Sequence, residues 1–367
     1  MQKELENQIE SLLNSSFLKP FLTRENITDI SYNGSIMMIQ DNIQGRYEAN
    51  YQPTQEEVLQ LGKKIADLQG KEFTNTDPIL DTELSYYRVN FIHQSVSPFG
   101  CTFAIRMSRP RLAIENVSKL ANPEVAELLN VLIKANTNII IAGKTGAGKT
   151  ELQKALVDFI PDDKKILLIE DTMDSHLKEL YPKKDIISWR TITDGSREHK
   201  VTYNDLIKAG LRNNPDWIII AETRGSEAYD MLESALTDHS IITTIHAKQA
   251  ASIPSRLIKM IGQKYQTNEF LLGKDIVETL RFGIYMTLES TNNGFRRYIR
   301  EIVEFTDFTE EKGVESIPVY KVKKIYDKET NKYKETIVTN PISNETRSEL
   351  TYKGLIHMVP DCFLGMN

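Results

Sequence analysis

Residues 138–150 read NIIIAGKTGAGKT, an apolar run that passes through a glycine-rich turn into a helical pattern. The stretch satisfies the spacing GxxxxGK[ST] from Gly143 to Thr150. Its glycines let backbone N–H groups converge on phosphate oxygens, Lys149 neutralises the β and γ phosphates, and Thr150 offers a hydroxyl to Mg²⁺. We therefore predict a nucleoside triphosphate site formed by Gly143, Lys144, Thr145, Gly146, Ala147, Gly148, Lys149 and Thr150.

Apolar runs and helical patterns alternate on both sides of this loop. The apolar runs lie at 139–142, 166–169, 217–221 and 241–245, and the helical patterns at 123–134, after 149, near 204–211 and at 226–236. This alternation is typical of a parallel sheet with helices on both faces, so we predict an α/β fold. After residue 250 the pattern is helical to about 279. Two predicted hairpins follow, one pairing 282–289 with 295–305 around Asn293-Gly294, and one between Pro318 and Thr339 around DKETNK.

The first 110 residues mix short strands with helices. Residues 1–19 repeat apolar side chains at helical spacing, namely Leu5, Ile9, Leu12, Leu13 and Phe17. We predict an amphipathic helix docked on its own domain, with a membrane-surface or partner helix as the alternative. Small antiparallel strands begin at Ile27, a helix with Thr54 as its N-cap extends to about Gln69, and further strands cover 86–94 and 102–107.

These patterns predict the domain organisation. Residues 1–110 form an N-terminal α+β domain, and residues 111–122, bordered by prolines, form a linker. Residues 123–310 form the domain that contains the phosphate loop. Residues 311–367 form a C-terminal extension of unknown role, so that helical and β-hairpin additions follow the α/β domain.

Composition limits the compartment and the partners. The 367 residues carry 45 Lys and Arg against 51 Asp and Glu, a net charge of −6, which provides no general attraction to nucleic acid or anionic lipid. Apolar runs stay far below the ~20 residues that span a bilayer. The start MQKELENQIE lacks the blocks of a secretory signal, and Cys101 and Cys362 lack the spacing of a disulfide framework or zinc site. We expect a cytoplasmic protein without direct nucleic-acid binding.

Polar side chains follow three predicted strands, at the edge of the sheet where ligands of open parallel sheets bind. ILLIEDT contains Glu170 and Asp171, WIIIAET contains Glu222, and IITTIHA contains His246. Glu222 is the best candidate to orient or deprotonate an attacking water, while Glu170 or Asp171 could hold Mg²⁺ or share the base role. His246 could sense the γ phosphate. The alternative for the carboxylates is that they only hydrate the strand ends. The alternative for His246 is that backbone groups at the end of the strand satisfy its hydrogen bonds.

Four motifs occur in a fixed order: GKTGAGKT, LLIEDT, LRNNPDWIIIAETRGSEAYDML and TTIHA. With them the chain resembles, over most of residues 25–305, the secretion traffic ATPases that power type IV secretion, type II secretion and type IV pili. The resemblance implies a RecA-like P-loop ATPase domain with a preceding N-terminal domain, ATP and Mg²⁺ as ligands, and a homohexameric ring. By matching position it implies roles at the phosphates, the metal or in hydrolysis for Lys149, Thr150, Glu170, Asp171, Glu222 and His246.

A further match lies in YYRVNFIHQSVSPFGCTFAIRMSRP, residues 86–110. It resembles the family's arginine-bearing hairpin, which implies that Arg88 and Arg106 approach the nucleotide phosphates. A guanidinium supplied from a separate domain makes domain closure depend on the γ phosphate. The alternative is that these arginines are ordinary surface residues on a strand. This alternative is stronger for Arg109 and Arg111. Arg224 also matches a family arginine, acting in cis or across a subunit boundary.

Some features depart from the family pattern. TDHSIITTIHA is one residue shorter than the usual run and lacks its internal glycine, so we assign His239 no role. The chain lacks the four paired cysteines that type II assembly ATPases often carry. Its N-terminal domain looks closer to the conjugation and tight-adherence pilus branches.

We therefore expect an ATP-hydrolysing hexameric motor that energises type IV secretion, as in conjugative transfer, or a related pilus or secretion machine at the cytoplasmic membrane face. Expected partners are copies of itself and inner-membrane components, with a coupling protein as an additional candidate. The alternative is a RecA-like nucleic-acid translocase, which would need basic, aromatic-interleaved loops. A metabolic P-loop kinase would need a substrate pocket and no arginine hairpin. The sequence identifies neither the cargo nor the direction of work.

Overall fold

Two units, each built on its own sheet, make up the chain. The computed structural model describes residues 2–84, 86–192, 200–291, 294–328 and 331–365, without the side chains of residues 2, 3, 5, 6 and 332. The N-terminal unit contains Met1–Pro110 and Glu289–Arg296, and the phosphate-loop unit contains Arg111–Leu288 and Arg297–Asn367. Within the described ranges, no helix has both the length and the apolar character needed to cross a bilayer.

The N-terminal unit combines helices with an antiparallel sheet. Its elements are α1 (Gln2–Asn14), α2 (Lys19–Leu22), β1 (Ile27–Tyr32), β2 (Met37–Asp41), β3 (Gly45–Glu48), α3 (Gln55–Leu68), β4 (Ile79–Leu84), β5 (Tyr87–Ile92) and β6 (Thr102–Met107). The strands lie in the order β3-β2-β1-β6-β5-β4. Each neighbouring pair is antiparallel, so the α+β class predicted for this part of the chain is confirmed.

Local sequence explains the two longer helices of this unit. Thr54 caps α3 in a capping box, because its hydroxyl accepts from Glu57 N–H at 3.2 Å while the Glu57 carboxylate accepts from Thr54 N–H at 2.8 Å. Ile9 and Leu13 of α1 are each 2% exposed and belong to the apolar core of the unit. The prediction that this first helix docks on its own domain is therefore confirmed.

The phosphate-loop unit is built on a nine-stranded sheet. Its elements are α4 (Pro123–Lys134), β7 (Ile139–Gly143), α5 (Lys149–Val157), β8 (Lys165–Glu170), α6 (Leu177–Leu180), β9 (Asp185–Arg190), α7 (Tyr203–Leu211), β10 (Trp217–Thr223), α8 (Glu227–Leu236), β11 (Ser240–Ile245), α9 (Ile253–Ile261), α10 (Glu269–Thr279), β12 (Phe282–Thr291), β13 (Gly294–Thr309), β14 (Gly313–Asp327), β15 (Lys332–Thr339) and α11 (Asn344–Tyr352). The strand order is β15-β14-β13-β12-β7-β11-β10-β8-β9. The strands from β12 to β9 in that order pair in parallel, whereas β13, β14 and β15 pair antiparallel.

The central strands are buried on both faces, which explains their unbroken apolar sequences. Along β7, Ile139 and Ile141 belong to the apolar layer that contains residues of α4 and α5. Ile140 and Ala142 belong to the layer that contains residues of α8, α9 and α10. Helices therefore cover both faces of a largely parallel sheet, and the predicted α/β class is confirmed.

Two predicted boundaries differ from the structure. The segment 111–122 is not a free linker, since Ile114, Val117 and Leu120 lie in the core of the phosphate-loop unit. Residues 311–367 are not a separate extension, because β14 extends the sheet and Phe363 is fully buried in the same core. The C-terminal part of the chain thus completes the phosphate-loop unit.

Some elements have no counterpart in the sequence-based prediction. β4 and β9 lie at the edges of their sheets, where one side lacks a partner strand, and both carry acidic or polar residues among the apolar ones. The predicted hairpins correspond to β12 with β13 and β14 with β15. Asn293 of the predicted turn, and residues 329 and 330 of DKETNK, lie outside the described residues.

One buried carboxylate anchors the C-terminal residues. Glu304 on β13 is 1% exposed and accepts hydrogen bonds from Ser343 N–H at 2.7 Å and from the hydroxyls of Ser343 and Thr346 at 2.5 Å each. Ser343 in turn caps α11 by accepting from Thr346 N–H at 3.1 Å. The start of α11 is therefore held to the sheet by one side chain.

Replacement of Glu304 should loosen this attachment. In Glu304→Ala, the Ser343 N–H and two hydroxyls lose a buried acceptor, which we expect to lower the free energy of unfolding by about 2–3 kcal/mol. Glu304→Gln keeps one amide oxygen and should lose less. Urea denaturation measures both, with the exposed Glu311→Ala as the control. An unfolding free energy of Glu304→Ala equal to that of the control would contradict the anchor.

Candidate functional site

The phosphate loop joins β7 to α5 by a close turn. A Cβ at Gly143 would lie 2.7 Å from the carbonyl oxygen of Met286 on β12, so a larger residue would displace backbone. Gly148 occupies the N-cap position of α5 with φ of 91°, in the left-handed region that glycine adopts without strain. The loop therefore follows the path that the sequence motif requires, with its helix N-terminus directly after the turn.

Lys149 is a buried cation at the start of α5. It is 8% exposed, and burial lowers the pKa of its ammonium, while the charge of nearby Glu222 acts in the opposite direction. Among the described residues, its ammonium makes one hydrogen bond, a long contact of 3.5 Å from Nζ to the carbonyl oxygen of Lys144. A buried ammonium with so little compensation is suited to bind an anion.

The end of β10 holds the predicted base. The register of β10 against β11 shifts between Ile220 and Thr223, an irregularity of the kind that re-aims a side chain. Glu222 lies within this shift, and its side chain is 16% exposed. Its Oε2 lies 2.8 Å from Nη2 of Arg224, and its Oε1 lies 2.9 Å from Nε2 of His246. The structure thus brings the predicted base and the predicted phosphate-sensing histidine into contact.

Arg224 connects the ends of two strands. Its Nη1 lies 2.7 Å from Oδ2 of Asp171, after β8, and its Nη2 bonds Glu222 on β10. Hydrogen bonding to Glu222, and then the charge of Asp171, raise the pKa of Arg224 above its ordinary value. The Arg224 side chain is nevertheless 60% exposed. Arg224 thus contacts two residues of the site in cis, within one chain.

Glu170 faces a different partner. It is 2% exposed and accepts from Ser175 N–H at 2.9 Å and from the Ser175 hydroxyl at 2.5 Å. Burial raises the pKa of Glu170 to about 7, and the hydrogen bonds from Ser175 oppose that shift. Its carboxylate therefore holds the loop after β8, whereas Asp171 and Glu222 share Arg224.

Two residues of this site were not predicted from the sequence. Gln153 on α5 is 1% exposed, and its Nε2 donates to the carbonyl oxygens of Ile220 at 2.9 Å and Ile242 at 3.3 Å. A glutamine on the buried face of a helix was the signal that could have found it. Arg297 on β13 donates from Nε to the carbonyl oxygen of Gly146 at 2.9 Å, and no nearby motif indicates that contact.

Two residues predicted to hold Mg²⁺ carry oxygen donors. Thr150 offers a hydroxyl on α5, and Asp171 offers a carboxylate at the end of β8. The carboxylates of Asp171 and Glu222 both contact Arg224. Such oxygen donors are the ligands that Mg²⁺ prefers.

Arg88 and Arg106 lie in the N-terminal unit. They are directly opposite each other on β5 and β6, and Nε of Arg106 bonds Oδ1 of Asp29 at 2.9 Å. Both arginines line a depression of about 500 Å³ on that sheet. The predicted pair therefore shares one face. Arg109 is a structural residue, since it donates to the carbonyl oxygens of Leu22, Glu25 and Ile27.

His239, to which we assigned no role, precedes β11, whereas His246 follows it. The two histidines are therefore at opposite ends of the strand. Nδ1 of His239 lies 3.2 Å from the carbonyl oxygen of Ser234.

Comparison with known proteins identifies relatives across most of the chain. An uncharacterized protein of Bacillus anthracis is 33% identical over 347 residues, covering 92% of this chain and 75% of that protein. The type IV secretion system protein VirB11 of Brucella suis is 25% identical over 319 residues, covering 78% and 87%. The X-ray structure of the ATPase DotB from Legionella pneumophila has a TM-score of 0.57 at 21% identity, covering 84% of this chain and 81% of that one, and shares the fold.

The family model described as "Type II/IV secretion system protein" matches residues 86–281, just over half of the chain. The matched range includes the phosphate loop, Asp171, Glu222 and His246. Together with the Bacillus anthracis relative, this match assigns the family. The chain therefore belongs to the type II/IV secretion system protein family.

Proposed function

We propose that this chain binds ATP with Mg²⁺ and hydrolyses it as a homohexamer, to energise a type IV secretion machine, as in conjugative transfer, or a related pilus machine. It would work at the cytoplasmic face of the membrane through inner-membrane components of that machine. Membership of the type II/IV secretion system family supports a role in energising secretion. The similarity to VirB11 of Brucella suis, named as a type IV secretion system protein, favours the type IV branch.

The buried ammonium of Lys149 carries the proposal of nucleotide binding. Its side chain is held at the N-terminus of α5 with one long hydrogen bond, although burial disfavours its charged form. A phosphate at the loop would supply the missing negative charge, and the helix N-terminus and loop amides would contribute to the same interaction. Among the described residues, no acidic side chain hydrogen-bonds to Nζ of Lys149. Burial lowers the pKa of Lys149, and Glu222 opposes this shift through its charge alone.

The arrangement of Glu222 supports its role as the base. A water that attacks the γ phosphate must lose a proton, and a carboxylate beside the phosphates can accept it. Both oxygens of Glu222 lie within 3 Å of cationic or potentially cationic groups, Arg224 and His246. These contacts hold the carboxylate at the strand end. We assign His246 to the γ phosphate and Arg224 to the carboxylates.

Thr150 and Asp171 are the proposed residues that would hold Mg²⁺, which supplies positive charge to the phosphates when it is bound. Glu170 is proposed to orient the loop after β8 through Ser175. Arg88 and Arg106 are proposed to stabilise phosphate charge, as the resemblance implies.

Replacement of the loop lysine tests nucleotide turnover. Lys149→Ala should lower the rate of ATP hydrolysis by about two orders of magnitude or more, because the loop loses its buried cation. Its thermal unfolding midpoint without nucleotide should not fall, since burial of that charge opposes folding. A coupled phosphate-release assay measures turnover, with Lys134→Ala, an exposed change at the end of α4, as the control. Wild-type turnover by Lys149→Ala would refute the phosphate-loop assignment.

Neutralisation of Glu222 separates binding from hydrolysis. Glu222→Gln keeps the size of the side chain but cannot accept the proton, so turnover should fall about 10²- to 10⁴-fold while ATP still binds. Equilibrium binding of a fluorescent ATP analogue and steady-state turnover are measured on the same preparation. Glu233→Gln, an exposed change on α8, is the control. If Glu222→Gln turns over normally, the base must be Asp171 or Glu170 instead.

The homohexamer is tested by mass. Light scattering after size exclusion, in the presence of a non-hydrolysable ATP analogue and Mg²⁺, should give six times the mass of one chain. A single-chain mass at every protein concentration and in both nucleotide states would contradict the ring.

A further inference from the structure

The chain passes between its two units three times. The crossings lie between Pro110 and Arg111, between Leu288 and Glu289, and between Arg296 and Arg297. On the phosphate-loop side of each crossing, the first residue contacts the phosphate loop or the helix that follows it. The first contact is a hydrogen bond to backbone, the second is apolar packing and the third is a hydrogen bond from an arginine. They therefore do not arise from one repeated sequence motif.

At the first crossing, α5 holds the backbone directly. Nζ of Lys154 donates to the carbonyl oxygen of Arg111 at 2.9 Å, and Ala113 N–H donates to Oε2 of Glu151 at 3.0 Å. Lys154 and Glu151 also form an ion pair of 2.8 Å, in which the Lys154 side chain is 3% exposed. The Lys154 end of this pair is shielded from water, whereas the Glu151 side chain is 30% exposed.

At the other two crossings, side chains contact the phosphate loop itself. A Cβ at Gly146 would lie 3.8 Å from Cδ2 of Leu288, so this leucine packs over the loop glycine. Arg297 donates from Nε to the carbonyl oxygen of Gly146 at 2.9 Å, and its Cδ would lie 3.3 Å from a Cβ at Gly148. Burial lowers the pKa of Arg297 and the charge of Glu151 opposes this, so the two sets of contacts also interact electrostatically.

The same segments are fixed on their other side, within the N-terminal unit. Arg109, two residues before Arg111, donates to carbonyl oxygens of that unit, including Leu22 at 2.7 Å. Gly294, three residues before Arg297, lies so close to Ile43 that a Cβ there would be 2.0 Å from the Ile43 carbonyl oxygen. At two of the crossings, the anchored residues on either side are therefore two or three positions apart in sequence.

We propose that Arg297 and Lys154 are positioning residues that couple phosphate binding at the loop to the chain segments that enter from the N-terminal unit. This inference rests on the proposed function, because it requires that the loop binds a nucleotide. Phosphate orders the backbone of Gly146 and the first turn of α5. The carbonyl oxygen of Gly146 then holds Arg297, and α5 holds Arg111 through Lys154. Each crossing segment is therefore more stable when phosphate occupies the loop, because the group that it contacts is then ordered.

Hydrogen exchange of the full chain tests the coupling. In the wild type, an ATP analogue with Mg²⁺ should slow amide exchange about fivefold at residues 108–114 and 294–298, the ratio that corresponds to ~1 kcal/mol. Arg297→Met keeps the stem over Gly148 but loses the donor, so nucleotide-dependent protection at 294–298 should disappear. Lys154→Met should abolish it at 108–114. Arg297→Lys, which retains a donor and a charge, should restore part of the effect.

Binding of a fluorescent ATP analogue is measured on each variant, with exposed Arg300→Met on the same strand as the control. We expect affinity to fall about fivefold in Arg297→Met and to stay unchanged in the control. A merely structural role would raise exchange equally with and without nucleotide, and so leave the ratio unchanged. An unchanged ratio in variants that still bind nucleotide would overturn the coupling and leave the proposed function standing. Failure of the wild type to bind nucleotide would overturn both.

Discussion

A positive charge held out of water is the constraint on which the phosphate-loop unit depends. Lys149 is 8% exposed, and the lowered pKa of its ammonium records the free-energy cost of that position. The fold holds the charge there because α5 begins directly after the loop that leaves β7, and the helix is packed against the sheet along its length. A phosphate anion at the loop would reduce this cost, so the proposed affinity for phosphate would come from burial of the charge as well as from hydrogen-bond donors.

The second cation of the site differs in its exposure. Arg224 is 60% exposed and contacts two carboxylates, Asp171 and Glu222, that end neighbouring strands. Since it is largely hydrated, it can exchange one carboxylate partner for another at small cost, whereas Lys149 cannot leave its position. The buried lysine is therefore suited to hold phosphates in one place. The exposed arginine is suited to change its carboxylate partner when a charged group binds beside Asp171 or Glu222.

Features with short-range causes were predictable from the sequence. The loop motif occupies eight consecutive residues, from Gly143 to Thr150, and the capping pair Thr54 and Glu57 lies three residues apart. The central strands were found because burial on both faces gives unbroken apolar runs, whereas edge strands β4 and β9 lack that signal.

Long-range contacts were not predictable. The hydrogen bonds of Gln153 reach carbonyl oxygens 67 and 89 residues away, and that of Arg297 reaches Gly146 across 151 residues. No local periodicity encodes such a partner, because the partner is chosen by the sheet topology that brings β10, β11 and β13 beside the loop. For the same reason the sequence indicated which carboxylates end the strands but not that Glu170 bonds Ser175 while Asp171 and Glu222 share Arg224.

One short helix connects these separate requirements. α5 has nine residues and a length of about 13 Å at ~1.5 Å per residue. Its first turn presents Lys149 to the phosphate loop, Gln153 bonds the strands before Glu222 and His246, and Lys154 with Glu151 bonds the segment after Pro110. A displacement of α5 on phosphate binding must therefore change all three sets of contacts together. If the proposed site binds phosphate, then phosphate occupancy, the position of the proposed base and the segment after Pro110 would be linked through this helix.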